Sequence, residues 1–172
     1  MKKVLVGGLC ALMVVGATSA FAGTKAGDKQ VGLQFAYDRM TVDDSSNSSV
    51  ILIGTFGYFV TNRISMGLTA TANTQIPEQG DTSSSVFAEL EPNFHFNTAS
   101  TILPYAGIHA GMAVSESSGK SNSAFDYGAQ VGLKSFISES AAFDTQLRYT
   151  RYSYESLDFA DLRLQVGLDL FF

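Results

Sequence analysis

The sequence predicts an all-β fold, an eight-stranded antiparallel up-and-down transmembrane β-barrel, from three observations. Apolar and polar residues alternate along eight separate segments, as they do in strands whose two faces meet different environments. The connections between these segments alternate between short turns and longer polar stretches. Apolar residues make up 45% of the chain, yet beyond the N-terminal region no stretch approaches the ~20 apolar residues that a membrane helix needs.

Residues 1–22 have the features of a secretory signal peptide. Lys2 and Lys3 form a positive start, an uncharged apolar run follows, and small residues precede a cleavage site at Ala22. A retained membrane anchor is the alternative, but the run is short for a span and glycines interrupt it. We therefore expect cleavage near Ala22, which leaves one domain over residues 23–172.

The charge balance and the cysteine content narrow the possible partners. The chain has 16 acidic and 11 basic residues, and loss of Lys2 and Lys3 with the signal peptide makes it more acidic. Nucleic-acid binding requires a basic face, so nucleic acid is not an expected partner. Cys10 is the only cysteine, and its removal means that no disulfide can stabilise the fold.

The eight alternating segments are each about ten residues long, the length with which a tilted strand crosses a bilayer. In the last segment every second residue from Ala160 to Phe172 is apolar, and Phe171 is the only apolar residue between them. Residues 50–60 are apolar on both faces, so the facing of this segment stays open. The segments are 30–38, 50–60, 64–71, 86–96, 105–114, 125–134, 143–150 and 160–172.

The connections between the segments suit a membrane barrel with turns on one side and loops on the other. With an even number of strands both termini lie on the turn side, which we expect to be periplasmic. The short turns are 61–63, 97–101 and 138–141, and the longer polar loops are 41–49, 73–85, 115–123 and 155–158. We expect the acidic loop residues to be solvated, and chelation of divalent ions that bridge lipopolysaccharide is the alternative. These residues are Asp43, Asp44, Asp81, Glu116, Glu155 and Asp158.

Residue types on the polar face favour a membrane barrel over a secreted lipocalin-like barrel, whose polar face would meet water. That face carries many glycines, with Gln and Thr, and only 16% of the chain is charged. Small residues fit the interior of a narrow barrel. Aromatic residues near the strand ends are typical of the two girdles at the membrane interfaces. The predicted girdle residues are Phe35, Tyr37, Tyr58, Phe59, Phe94, Phe96, Tyr105, Phe125, Tyr127, Phe143, Tyr149 and Phe172.

Three segments, 58–65, 103–107 and 162–172, resemble the small bacterial outer-membrane β-barrel family that includes the barrel of outer membrane protein A. In that family the barrel-assembly machinery reads a closing strand that ends in Phe. The resemblance implies an assembly signal, periplasmic chaperones as further partners, and a monomer surrounded by outer-membrane lipid and lipopolysaccharide. We expect no peptidoglycan-binding role, because no such domain follows Phe172. The implied signal residues are Val166, Leu168, Leu170 and Phe172.

Charged residues on the predicted inward face define the candidate functional site. The lumen of an eight-stranded barrel is narrow enough for side chains to fill it, and unpaired charges there are costly. We expect the acids Glu89 and Glu91 to pair with the bases Arg148 and Arg163. A closed, salt-bridged lumen is the preferred interpretation, and a small gated pore is the alternative. The predicted lumen charge network is Glu89, Glu91, Arg148, Arg163, His109, Lys134 and Asp126.

Enzymatic and metal-dependent functions are not expected. Lipid-modifying barrels need a His beside a Ser and an acid at an edge that an acyl chain can reach, and neither His95 nor His109 lies in a His-x-Ser arrangement. Both histidines are on the inward face with Glu89 and Glu91, but nothing in their spacing defines a metal site. We expect no catalytic residue and no cofactor, and a structural or surface-interaction role.

Overall fold

The computed structural model describes residues 24–42, 45–77, 83–96, 100–117, 120–153 and 158–172. The signal peptide predicted over residues 1–22 and its cleavage after Ala22 lie outside these residues. So do the loop positions Asp43, Asp44, Asp81 and Glu155 and the side chains of Tyr37, Glu116 and Asp158.

Eight strands form one closed barrel in chain order, which confirms the predicted fold class. Each strand pairs antiparallel with the next, and β8 pairs with β1. The described residues include no helix that is long and apolar enough to span a membrane. The strands are β1 Lys29–Val42, β2 Ser45–Phe59, β3 Ile64–Pro77, β4 Ser83–His95, β5 Ile102–Ser117, β6 Lys120–Ser138, β7 Ala141–Ser153 and β8 Asp158–Phe171.

The strands are longer than expected, at 13 to 19 residues. Pairing of β1 with β2 continues to Val42 opposite Ser45, and pairing of β5 with β6 continues to Ser117 opposite Lys120. The predicted loops 41–49 and 115–123 are therefore mostly strand. Backbone hydrogen bonds form in these polar hairpins regardless of side chain, so apolar alternation stopped short of the strand ends.

Side-chain exposure follows the alternation along the strands. The outward residues Leu33, Ile108 and Leu162 are 59%, 62% and 62% exposed, which gives the barrel an apolar outer surface. The open question of residues 50–60 is also resolved. Ile51 and Ile53 point inward and are buried, whereas Leu52 between them is exposed.

Two of the predicted girdle residues point into the barrel instead of towards lipid. Phe59 and Tyr105 are 0% and 3% exposed, because each lies at an inward position of its strand, opposite Ser65 on β3 and Gly132 on β6. The remaining girdle residues with described side chains are exposed: Phe35, Tyr58, Phe94, Phe96, Phe125, Tyr127, Phe143, Tyr149 and Phe172.

The junction of β1 and β8 is paired over only part of its length. Its register runs from Gln30 opposite Phe171 to Phe35 opposite Val166. Beyond that point, β1 stays paired with β2, and β8 stays paired with β7. We call this unpaired part, residues 36–42 of β1 and 158–165 of β8, the outer seam.

Candidate functional site in the barrel lumen

The central layer of the lumen is organised by Arg148. Its side chain extends from β7 across the barrel to β4, where Nη2 lies 2.5 Å from Glu89 Oε1 and Nη1 contacts Glu91 Oε1. All three side chains are buried. The planar guanidinium has enough donors to serve both carboxylates at once, so one cation holds two acids on the opposite wall.

Gln130 extends this central layer. It is the cross-strand partner of Arg148, and its Oε1 accepts hydrogen bonds of 3.1 Å from Arg148 Nη1 and from Gln146 Nε2. Its Nε2 donates to Asn93 Oδ1 at 2.8 Å. The amide thereby connects three strands and uses both its acceptor and its donor.

A second layer of charge, nearer the turns, is centred on Lys134. Its Nζ lies 3.0 Å from Asp144 Oδ2, contacts Asp169 Oδ2, and sits 4.8 Å from the centre of the Tyr105 ring. The Tyr105 hydroxyl and Gln34 Nε2 each lie 3.0 Å from the Asp144 carboxylate and donate to it. Asp144 therefore has three donors around one buried carboxylate.

An apolar cluster closes the turn end of the lumen. It consists of Phe59, Leu103, Phe136, Ala142 and Phe171, and we call it the turn-end plug. The Phe136 and Phe171 ring centres are 5.0 Å apart. The alternation of residues did not predict this plug, although Phe171 is the one apolar residue on the polar face of its strand.

Between the two charge layers lies a small polar cavity. The space in it that the centre of a water molecule can occupy is about 20 Å³. Its lining includes Glu91, Gln130, Lys134 and Asp144. Since one water molecule needs about 10–15 Å³ by this measure, the cavity is a pocket for about one water molecule. It is far too small to be a continuous channel.

The structure distributes the predicted charge network over several places. Glu89, Glu91 and Arg148 meet in the central layer, and Lys134 belongs to the layer nearer the turns. Arg163 was expected to pair with the two glutamates, and this prediction is wrong. It contacts Asp161, two residues away on the same inward face of β8, and this pair is partly exposed, because the local partner is closer than the opposite wall.

His109 and His95 are buried, each beside a hydroxyl. His109 Nε2 lies 3.1 Å from Thr150 Oγ1, and His95 Nε2 lies 3.0 Å from Ser65 Oγ. The Ser65–His95 pair was not visible in the sequence, because the residues lie on neighbouring strands. Nδ1 of His95 has no hydrogen-bond partner among the described residues, so none of their acids orients the ring as in a catalytic triad. The described part of the chain also contains no cluster of three potential metal ligands.

The residues of the implied assembly signal lie on the outer surface of β8 and at Phe172, which follows it. Val166, Leu168, Leu170 and Phe172 alternate with inward residues and are all exposed, with Phe172 at 68%. They form a continuous apolar ridge beside the paired part of the β1–β8 junction.

Comparisons with known proteins agree with this architecture. The family described as outer membrane protein beta-barrel domain matches residues 8–169. The chain belongs to this family. No curated protein matches the sequence.

Solved structures of outer-membrane barrels share the fold at low sequence identity. Neisserial surface protein A is 14% identical with a TM-score of 0.68, and the match covers 84% of this chain and 98% of that one. Outer membrane protein OprG from Pseudomonas aeruginosa is 15% identical with a TM-score of 0.56, covering 87% and 98%. The N-terminal β-barrel domain of Pseudomonas aeruginosa OprF is 19% identical with a TM-score of 0.53, covering 87% and 99%. At these identities the likeness establishes the fold alone.

Proposed function

We propose that this outer-membrane barrel has a structural or surface-interaction role and a closed lumen. The observation that carries the proposal is that three obstructions follow one another along the lumen. They are the Arg148 layer, the Lys134 layer and the turn-end plug. An ion would have to break buried ion pairs and then pass an apolar cluster, and each step carries a desolvation cost.

Single-channel recording of the refolded protein in planar bilayers tests this proposal. We expect no stable conductance at moderate voltage, and a conductance that persists and scales with salt concentration would contradict it. A sample of misfolded protein that enters the bilayer without forming the barrel controls for leakage caused by misfolded protein.

A small gated pore is the second candidate, and the polar cavity between the two charge layers favours it. If rearranged ion pairs opened a water-filled path, Glu89→Lys and Arg148→Glu would change conductance or ion selectivity. Glu139→Lys, at an exposed turn, is the matched charge change outside the lumen. Recordings in which all four proteins are equally silent would rule out the pore.

The partners of the proposed role follow from the outer surface. Its apolar side chains require lipid around the barrel, and we place the turn end on the periplasmic side and the hairpins towards lipopolysaccharide. The ridge from Val166 to Phe172 is the proposed contact for the barrel-assembly machinery, with periplasmic chaperones acting before it. Because no described feature points to a catalytic site, we propose no enzymatic activity. A monomer is sufficient, since the barrel closes on itself.

A further inference from the structure

Asp126 is a buried carboxyl group without a donor. Its side chain is 0% exposed, and neither carboxyl oxygen accepts a hydrogen bond from any described donor. Asp144, which is equally buried, receives hydrogen bonds from Lys134, Tyr105 and Gln34. A buried carboxylate that lacks such donors is strongly disfavoured, so the charge state of Asp126 requires an explanation.

A second acid lies beside Asp126 in the lumen. Glu89 on β4 and Asp126 on β6 both lie opposite Gly111 of β5, which places no side chain between them. Both buried carboxyl groups project into the lumen from the strands on either side of this glycine, so they lie side by side. Ionised carboxylates can only accept hydrogen bonds. The contact is therefore attractive only when one of the two groups carries a proton.

The charges around the pair do not compensate for a second negative charge. Arg148 on β7 contacts Glu89 and Glu91 but donates nothing to Asp126. Three acids therefore face one guanidinium.

Three other polar side chains surround the pair. His109 on β5 lies beside Thr150, Tyr152 is the β7 neighbour of Asp126, and Arg163 on β8 is engaged by Asp161. None of them donates to Asp126. With no third metal ligand grouped here among the described residues, a proton is the smallest positive charge that satisfies the site.

We propose that Glu89 and Asp126 form a proton-binding site in which their two carboxyl groups share one proton at neutral pH. When two acids share a site, ionising both costs more free energy than ionising two separate acids in water. A single shared proton replaces their repulsion with a hydrogen bond. The site is independent of whether the lumen conducts. It makes folding of the barrel a proton-uptake reaction, because an unfolded chain at neutral pH leaves both groups ionised.

Infrared spectroscopy of the refolded protein in D₂O tests the site directly. A protonated carboxylic acid has a carbonyl band well separated from the carboxylate bands. We expect such a band at pH 7 in the wild type and its loss in Asp126→Asn, whose amide replaces the shared proton as a permanent donor to Glu89. Asp161→Asn removes a carboxylate from a partly exposed ion pair and serves as the matched control that keeps the band.

The pH dependence of unfolding gives a second measurement that does not depend on the spectrum. Uptake of one proton makes the folding equilibrium constant fall about tenfold per pH unit above neutrality. Asp126→Asn should reduce this slope by one proton relative to both the wild type and Asp161→Asn, while the histidine contributions cancel in the difference. A wild type with no acid band and the same slope as Asp126→Asn would overturn the proposal, as would stability that depends on added Mg²⁺ or Ca²⁺ in place of pH.

Discussion

The side-chain amide of Gln146 donates a hydrogen bond of 3.1 Å to the amide oxygen of Gln130. Gln146 Oε1 in turn lies 2.8 Å from the Tyr105 hydroxyl beside Lys134. Gln130 Oε1 also accepts a hydrogen bond from Arg148 Nη1. The two glutamines therefore lie between the charge layers of the lumen, where the single hydrogen of the Tyr105 hydroxyl is available to either Gln146 Oε1 or the Asp144 carboxylate.

Gln130→Leu should destabilise the barrel because it leaves buried donors of Arg148 and Gln146 without their acceptor. We expect a loss of about 2–6 kcal/mol in the free energy of unfolding, at about 1–3 kcal/mol for each of the two unsatisfied donors. Urea unfolding in lipid vesicles measures it. Gln165→Leu is the matched control, since Gln165 is equally buried but its Oε1 accepts no hydrogen bond from described residues. Equal losses in both variants would contradict the proposed bridging role.

Arg148→Met should be among the most damaging single changes in the lumen. It leaves Glu89 and Glu91 buried without their cation, and breaking a buried ion pair costs about 3–5 kcal/mol. Arg163→Met removes the same group from a partly exposed pair, for which about 0–1 kcal/mol is typical. Unfolding curves of both variants at one pH decide the matter, and similar midpoints would count against the central layer as a stabilising unit.

Adjacent phenylalanines at the C-terminus should separate stability from assembly. Phe171→Ala opens a cavity in the turn-end plug and should cost about 3–5 kcal/mol, whereas Phe172→Ala trims an outward side chain and should cost much less. In cells we expect Phe172→Ala to slow insertion into the outer membrane more than Phe171→Ala does, because Phe172 belongs to the proposed assembly signal. Pulse-chase of heat-resistant folded protein, beside unfolding of the purified variants, gives both readouts. Identical behaviour of the two variants would remove this division of roles.

Gly128→Ala should strain the barrel wall. A Cβ atom at this position would overlap the backbone oxygen of Tyr149 and the His109 ring, and overpacking typically costs about 1–3 kcal/mol. Gly54→Ala is the control, because a Cβ there meets nothing within 4 Å. The yield of heat-modifiable folded barrel on electrophoresis and the unfolding midpoint should fall for the first variant only.

The outer seam should be the least protected part of the barrel wall. Amides of residues 36–42 and 158–165 that point into the seam lack a strand partner, so their hydrogens should exchange much faster than those of the fully paired β5–β6 wall at the same height. Hydrogen exchange followed by NMR in detergent micelles resolves individual amides. Uniform protection across all eight junctions would show that the seam closes in solution.

The sequence by itself determined the strand number, the facing of seven strands and the set of polar residues that fill the lumen. These properties follow from the alternation of side chains along a single strand, which is local and can be read directly. It also contained the exception at Phe171, whose inward position is part of the same alternation.

Only the tertiary structure decided which of these residues meet. Arg148 reaches Glu89 and Glu91 while Arg163 turns to Asp161, and Phe59 joins the turn-end plug instead of an aromatic girdle. Contacts across a lumen depend on the register of every strand pair between the partners, and a one-residue slip would reverse the facing of a whole strand. Register is a property of the closed barrel, since it is summed over all eight junctions, and no single segment of sequence contains it.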